Sequence, residues 1–483
     1  MKSLRLAAGA ALSLLLSHAD GEQFYSTKTP YAPQQASASY QAAPAGFKPV
    51  YTQMLARHGS RGLSSLKTDL ALYNLWRQAQ QEDALTALGR KLGPDIELMM
   101  QANALLGYGV AGISQPGYGN ETMQGIAEHT ALAQRLRARL PQLFRDPGGR
   151  RIVVLTSGKD RAVDSGEFFA AALVRQQPEL KPLIDTGVDR ATLYFHKLNT
   201  RQDTLVTEAS LAYQRWVKSD QLQARETAIH AQPQLRAAAQ ATLERLFTPA
   251  FIAALDAGQR SASNTGARSY TSADGKFTNT LSGDGKASID NATDAALALY
   301  DLYSAAADMQ AELTADFTQY IEAQQARIYA EAEDAVAFYE KGPGIAENGD
   351  LTWRMAGALV ADFFAEADAI AAGNRAHAAK LRFAHAEIII PLASALGLPG
   401  AAEQLPRTAT YRYQNSRWRG DQVAPMAANL QWDVYQNSAG RTLVRMLYNE
   451  READFKPACN SARIAPASYF YDYQRLKHCY KQQ

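Results

Sequence analysis

Two arginines flank a histidine in Arg57-His58-Gly59-Ser60-Arg61. Guanidinium groups grip phosphate oxygens through paired N–H donors. An imidazole nitrogen can attack phosphorus as a nucleophile. The preceding run, Val50 to Ala56, has the length and apolar content of a buried strand. A strand ending in a tight glycine turn presents that turn at the carboxyl edge of a sheet, where open α/β sheets bind ligands.

Two other places repeat the form. Ile152 to Leu155 reads as a second buried strand by its β-branched content. It runs into Thr156-Ser157-Gly158-Lys159-Asp160-Arg161, with a helix expected from near Val163; a helix N-terminus favours an anion. Leu381 onward reads as a strand ending at His385, followed by Ala386, Glu387 and a helix that tolerates Pro391 in its first turn. Taken singly, Arg161 suits a surface ion pair, His385 a core position and Glu387 a helix N-terminal charge. Their shared placement at strand-to-helix turns argues for one site.

Phosphoryl transfer needs positive charge spread over the equatorial oxygens, a nucleophile in line and an acid at the leaving oxygen. Arg57, Arg61, Arg161 and His385 can supply that charge with no metal and no cofactor. His58 would become a phosphohistidine. Glu387 would protonate the leaving alkoxide and then deprotonate the attacking water.

The elements that position these residues can be read in outline. Residues 20–46 look like an extended, partly mobile lead-in. Residues 63–107 and about 121–143 read as helical, and Ala191 to Leu198 as a strand. From about 200 to 374 the chain is Ala-rich and helical. Residues 261–288, dominated by Ser, Gly, Thr, Asn and Asp, bury little apolar surface and read as a surface loop or flap. Glu340 to Gly344 breaks two helices, and Leu443 to Asn449 is a further strand.

The chain has 483 residues, 46% of them hydrophobic, enough for a large core. Residues 1–19 read as a secretory signal: Lys2 and Arg5, an apolar run from Leu6 to Leu16, and a small-residue cleavage site at Ser17-His18-Ala19. Its removal takes Lys+Arg from 50 to 48, against 48 Asp+Glu. A neutral mature chain gives no reason to expect nucleic acid or an anionic membrane as partner, and no run is long enough to span a bilayer. The two cysteines, Cys459 and Cys479, either close a loop of about twenty residues in an oxidising compartment or remain two thiols.

Arg57-His58-Gly59-Ser60-Arg61, the strand leading to Thr156-Ser157 and Arg161, and His385-Ala386-Glu387 together resemble the histidine acid phosphatases. Within them they resemble the multiple inositol polyphosphate phosphatase branch, whose late motif is H-A-E where other phytases carry H-D. Lys341 to Gly344 and Leu443 to Glu450 also read as that branch does. The resemblance implies a phosphoglycerate-mutase-like α/β/α core with a mostly parallel sheet, an inserted helical domain and a cleft site between them. Core segments are then expected at 20–62, 109–198 and 378–483, and helical insertions at 63–108 and 199–377. It implies His58 as nucleophile, Arg57, Arg61, Arg161 and His385 as phosphate ligands, Glu387 as proton donor and phytate as substrate. Leu63 stands where the longer family signature has proline. Lys67 and Lys159 are candidates for further phosphates on a polyphosphorylated ring.

The nearest alternative is an acid phosphatase acting broadly on small phosphate esters. A phosphomutase uses the same nucleophile, but its substrates are cytosolic and the chain reads as exported. A binding protein for phosphorylated ligands needs neither His58 nor Glu387.

Overall fold

The computed structural model describes residues 24–145 and 147–481. The expected signal at 1–19 lies outside them. The strands are β1 (Lys48–Arg57), β2 (Arg151–Thr156), β3 (Ile184–Val188), β4 (Ala262–Thr271), β5 (Thr278–Ile289), β6 (His377–Ala384), β7 (Asn429–Gln436), β8 (Thr442–Tyr448), β9 (Arg451–Ala453) and β10 (Phe470–Asp472). All but β4 and β5 form one sheet of order β10-β8-β7-β1-β6-β2-β3, with β9 on β8. It is parallel through β1, β6, β2 and β3 and antiparallel from β1 outward through β7, β8 and β10.

Alternation along the strands builds three layers. Met54 and Ala56 of β1, Ile152 and Val154 of β2 and Leu381 and Phe383 of β6 share one core with Leu132 and Leu136 of the Met123–Arg139 helix and Phe169 of the Asp160–Gln176 helix. On the opposite face, Tyr51 and Leu55 pack in a second core with Phe363 of the Gly357–Ala371 helix and Ile388 of the Ala386–Ala395 helix. That face also buries polar groups in pairs. Gln53 donates to the Phe363 carbonyl at 2.8 Å, and fully buried Arg382 is held by Asp362. Leaving either charge unpartnered would cost about 3–5 kcal/mol.

The helices of the insertions include Thr68–Gln81, Gly89–Leu105, Ala292–Ala306 and Ala323–Glu340. Among the described residues no helix is long and apolar enough to cross a membrane.

Three local expectations need correction. Ala191 to Leu198 is not a strand: the strand is β3, and residues 190–197 form the short helical turns Arg190–Leu193 and Phe195–Lys197. The Asp189 carboxylate accepts from the Thr192 N–H and starts the turn, overriding the strand-like apolar residues. Residues 261–288 are a hairpin rather than a loop. Hydroxyls pair across it, Ser269 with Thr280 and Thr271 with Thr278, so its ladder forms with little apolar burial. The lead-in packs against the core from residue 24 onward. The Tyr31 hydroxyl donates to Glu450 Oε2 at 2.8 Å, and Tyr40 donates to the Glu450 carbonyl at 2.5 Å.

Cys459 and Cys479 form a disulfide. It ties the carboxyl-terminal helix Tyr473–Lys481 to the turn at Pro457–Ala462.

Candidate active site

Strand register assembles the site. Arg57 at the end of β1 lies opposite Ala384 at the end of β6, and Thr156 at the end of β2 lies opposite Phe383. The residues that follow leave the sheet side by side. His58 N–H donates to the Ala384 carbonyl at 2.9 Å, and Ser157 N–H to the Phe383 carbonyl at 3.1 Å. The His58 and His385 rings stand 5.5 Å apart between centroids, though 327 positions separate them in sequence.

His58 is 2% exposed. Its Nδ1 lies 2.9 Å from the Gly59 carbonyl. A carbonyl only accepts, so Nδ1 carries the hydrogen and Nε2 keeps its lone pair. Burial first, then the Arg161, Arg57 and Arg61 charges, hold the imidazole well below its ordinary pKa. Burial and the neighbouring charges thus favour its neutral form, with the Nε2 lone pair free.

The arginines are crowded. Burial and the Arg61 charge lower the Arg57 guanidinium to about 10, and the same causes lower Arg161 to about 10. Arg57 is oriented by donation to the Ala424 carbonyl at 2.6 Å and to the Thr27 carbonyl. Arg161 sits in the first turn of the Asp160–Gln176 helix, whose N-terminus adds to the positive field. The Nε atoms of Arg57, Arg61 and Arg161 are buried without a hydrogen-bond acceptor. Buried donors aimed at no protein group, within a net positive field, are a site for an anion.

His385 caps the Ala386–Ala395 helix. Its Nε2 lies 2.8 Å from Ser157 Oγ, which accepts from Lys159 N–H at 3.3 Å. That hydroxyl can then donate to Nε2, leaving Nδ1–H as the donor. Nδ1 is buried with no protein acceptor, so His385 offers a neutral N–H beside His58.

Glu387 is two residues on, in the first turn of that helix, with its side chain 32% exposed. Burial pushes its carboxyl up, but Lys341, His196 and His385 together outweigh burial and hold it well below the usual range. Lys341 Nζ is 3.2 Å from Glu387 Oε1 and 3.2 Å from Glu340 Oε2.

The structure thus brings together His58, Arg57, Arg61, Arg161, His385 and Glu387. Lys159 stands at the rim, its ammonium 5.7 Å from the centroid of the Tyr194 ring, which is itself 5.8 Å from His385. Lys67 is exposed, and its charge falls on Asp284 of the hairpin. Among the described residues no group of three or more His, Cys, Asp or Glu is placed to hold a metal ion.

Sequence reasoning missed several contributors. His196 lies 6.1 Å from His385 between ring centroids, with its Nδ1 buried and unpartnered. It fell inside the segment misread as a strand. Lys341 sits in a stretch that reads as a helix break. Glu121 lies beneath the nucleophile loop, where its Oε1 accepts Gly59 N–H at 2.9 Å and the Ser165 hydroxyl; burial pushes it up to about 8. No local motif marks such a residue.

The chain matches the histidine phosphatase superfamily (branch 2) over residues 50–449. It is similar to the multiple inositol polyphosphate phosphatase of Bifidobacterium longum in complex with inositol hexasulfate: 33% identity, TM-score 0.85, covering 95% of this chain and 97% of that one. The same protein in complex with phosphate aligns at 32% identity and TM-score 0.85, with 95% and 97% covered. The phytase from D. castellii shares the fold, at 14% identity and TM-score 0.61 over 94% of this chain and 84% of that one. No curated protein sequence matches the chain.

Packing under the loop generates a prediction. A Cβ on Gly59 would lie 2.6 Å from Gly125 Cα and 2.7 Å from Glu121 Oε1. Gly59→Ala should therefore lose about 1–3 kcal/mol of stability through overpacking and displace His58, lowering kcat at least tenfold. Urea unfolding and steady-state kinetics on an aryl phosphate check both. Wild-type values in both would show that the loop has room to spare.

Proposed function

The chain belongs to the histidine phosphatase superfamily (branch 2) and is a phosphomonoesterase; on that premise we propose that it hydrolyses phytate and lower inositol phosphates through a phosphohistidine on His58. The observation that carries the reaction is a buried His58, its Nδ1 taken by the Gly59 carbonyl, among three arginines whose buried Nε atoms have no protein acceptor. The substrate rests on likeness to the B. longum phosphatase, seen bound to inositol hexasulfate.

A phosphate monoester enters with its equatorial oxygens on Arg57, Arg61, Arg161 and His385 Nδ1–H. His58 Nε2 bonds to phosphorus as the ester P–O bond breaks, and the leaving alkoxide takes a proton from Glu387. Water then attacks the P–N bond, Glu387 recovers the proton, and inorganic phosphate leaves. Glu387 rests as a carboxylate paired with Lys341. A polyanion in the cleft competes for the Lys341 ammonium and adds like charge, and both effects raise Glu387 toward protonation. Lys159, near the Tyr194 ring, would meet a phosphate other than the one being transferred.

We also read the protein as exported to the periplasm or beyond. The Cys459–Cys479 disulfide suits an oxidising compartment.

A broad acid phosphatase of small esters is the second reading. The observation favouring it is that lysines near the site already have acidic partners: Lys28 with Asp301, and Lys341 with Glu340 and Glu387. Incubation with phytate, resolving inositol phosphates over time, separates the two. Stepwise loss of phosphate is expected. Intact phytate alongside rapid hydrolysis of glycerol phosphate would hand the function to the second reading.

Mechanism is tested by leaving group. His58→Ala should abolish turnover of every ester. Glu387→Gln should lower kcat on an alkyl phosphate by roughly 10²–10⁴-fold, the usual contribution of a general acid, and spare an aryl phosphate that leaves unaided. Equal losses on both esters would remove Glu387 from the acid role.

Lys341→Met gives the sign of the electrostatic control. Without the ammonium, burial raises Glu387, so its protonated form persists to higher pH. The alkaline limb of kcat/KM for an alkyl phosphate should move up by about one unit or more, since that ratio reports groups of the free enzyme. An unmoved limb would mean that Lys341 does not govern the acid.

A further inference from the structure

Beneath the nucleophile loop lies a second group of acids that the chemistry above does not use. Ser60, between His58 and Arg61, is fully buried. Its Oγ is 2.8 Å from Glu128 Oε1 and 2.8 Å from Asp308 Oδ1. Glu128 belongs to the Met123–Arg139 helix of the core, and Asp308 follows the Ala292–Ala306 helix of the insertion. Ser60 is thus the point where loop, core and insertion meet.

Proton counting decides the state of this group. A hydroxyl has one hydrogen and can donate to one oxygen only. With two carboxylates, one oxygen would face the serine lone pairs at hydrogen-bonding distance with nothing between them. One acid must carry a proton. Glu128 accepts Ser60 N–H at 2.8 Å on Oε2 and Tyr31 N–H at 3.0 Å on Oε1, which favours its carboxylate. Asp308 has no such donors, and its Oδ2 is buried with no partner. The proton belongs on Asp308, which donates to Ser60 Oγ while Ser60 donates to Glu128.

We propose that Asp308 is a positioning residue whose retained proton holds the His58 loop between core and insertion, and that losing this proton sets the upper pH limit of turnover. The inference rests on the assignment of His58 as nucleophile.

The charged and titratable groups facing Asp308 are Glu128 from the core helix, Arg57 and Arg61 from the loop, and Tyr25 from the amino-terminal segment. Burial first, then the Glu128 charge, push the Asp308 carboxyl well up; the Ser60 hydroxyl and the two arginines pull the other way and lose. An acid raised on folding binds its proton more tightly in the native state. Stability therefore falls as pH rises from the unfolded carboxyl value toward the folded one.

Asp308→Asn tests this. The amide N–H reproduces the donation to Ser60 and cannot titrate. At acid pH its kcat on an aryl phosphate should stay within about threefold of wild type, while the alkaline limb of kcat moves up by about one pH unit or more. Asp308→Ala, which lacks the donor, should lose at least tenfold in kcat at every pH. Urea midpoints supply a readout independent of turnover: the gap between Asn variant and wild type should widen in the variant's favour as pH rises. An unmoved alkaline limb, parallel midpoints, or an Asn variant that cannot fold in acid would each overturn the proposal. Inactivity of the wild type on every ester would instead sink the phosphohistidine reading, leaving the midpoint comparison to judge Asp308.

Discussion

Parallel pairing of β1 with β6 is the constraint on which the site depends. Backbone hydrogen bonds that set Arg57 opposite Ala384 oblige the next residues, His58 and His385, to emerge together. A slip of one residue would send Met54 and Ala56 to the wrong face of the sheet. The apolar core that specifies register therefore also specifies the distance between His58 and His385. No contact between the two histidines has to do that work. The same pairing lets β2 bring Ser157, and with it the tautomer of His385.

The second constraint is unbalanced charge. Arg57, Arg61 and Arg161 lie close together: the Arg61 charge helps to lower both Arg57 and Arg161, and the Arg161 charge helps to lower Arg57. Two unit charges 4 Å apart repel by about 4 kcal/mol at an effective dielectric of 20, a cost that the rest of the fold must carry until an anion arrives. The field has a chemical use meanwhile, because it adds to burial in holding the His58 imidazole well below its ordinary pKa. Acids are present nearby but are kept from quenching it. Glu121 and Asp308 are pushed toward their protonated forms by burial, and Glu387 is held by Lys341.

Much of this was legible in the chain. Arg57 to Arg61, Arg161 and His385 to Glu387 sit at the ends of short apolar runs, and a run that stops at a glycine or a helix start carries its own address. The parallel half of the sheet follows from those runs. What could not be read was whatever depends on partners distant in sequence. His196 lies in the Phe195–Lys197 turn, just after a turn that Asp189 caps through Thr192, inside a segment whose apolar residues imitate a strand. The 261–288 hairpin is held by cross-strand hydroxyl pairs, and composition alone reads Ser and Thr there as loop. Glu121, Glu128 and Asp308 look like ordinary surface charges until the fold buries them. Lys67, near the motif in sequence, is exposed, and its charge falls on Asp284 of the hairpin.

Lys341 brings the two constraints together. Glu387 is held ionised against its own burial by the Lys341 ammonium first, and then by His196 and His385. The arrangement is coherent only if the substrate changes the balance. On the proposed mechanism a polyphosphate adds negative charge next to Glu387 and draws on the ammonium that had held it, so binding itself raises the acid toward its working state. A monophosphate brings less charge and raises it less. Preference for highly phosphorylated substrates can then arise at the proton-transfer step, beyond what contacts in the cleft contribute to binding. Selection of this kind would appear in kcat as well as KM, because the acid carries its proton only while the polyanion is bound.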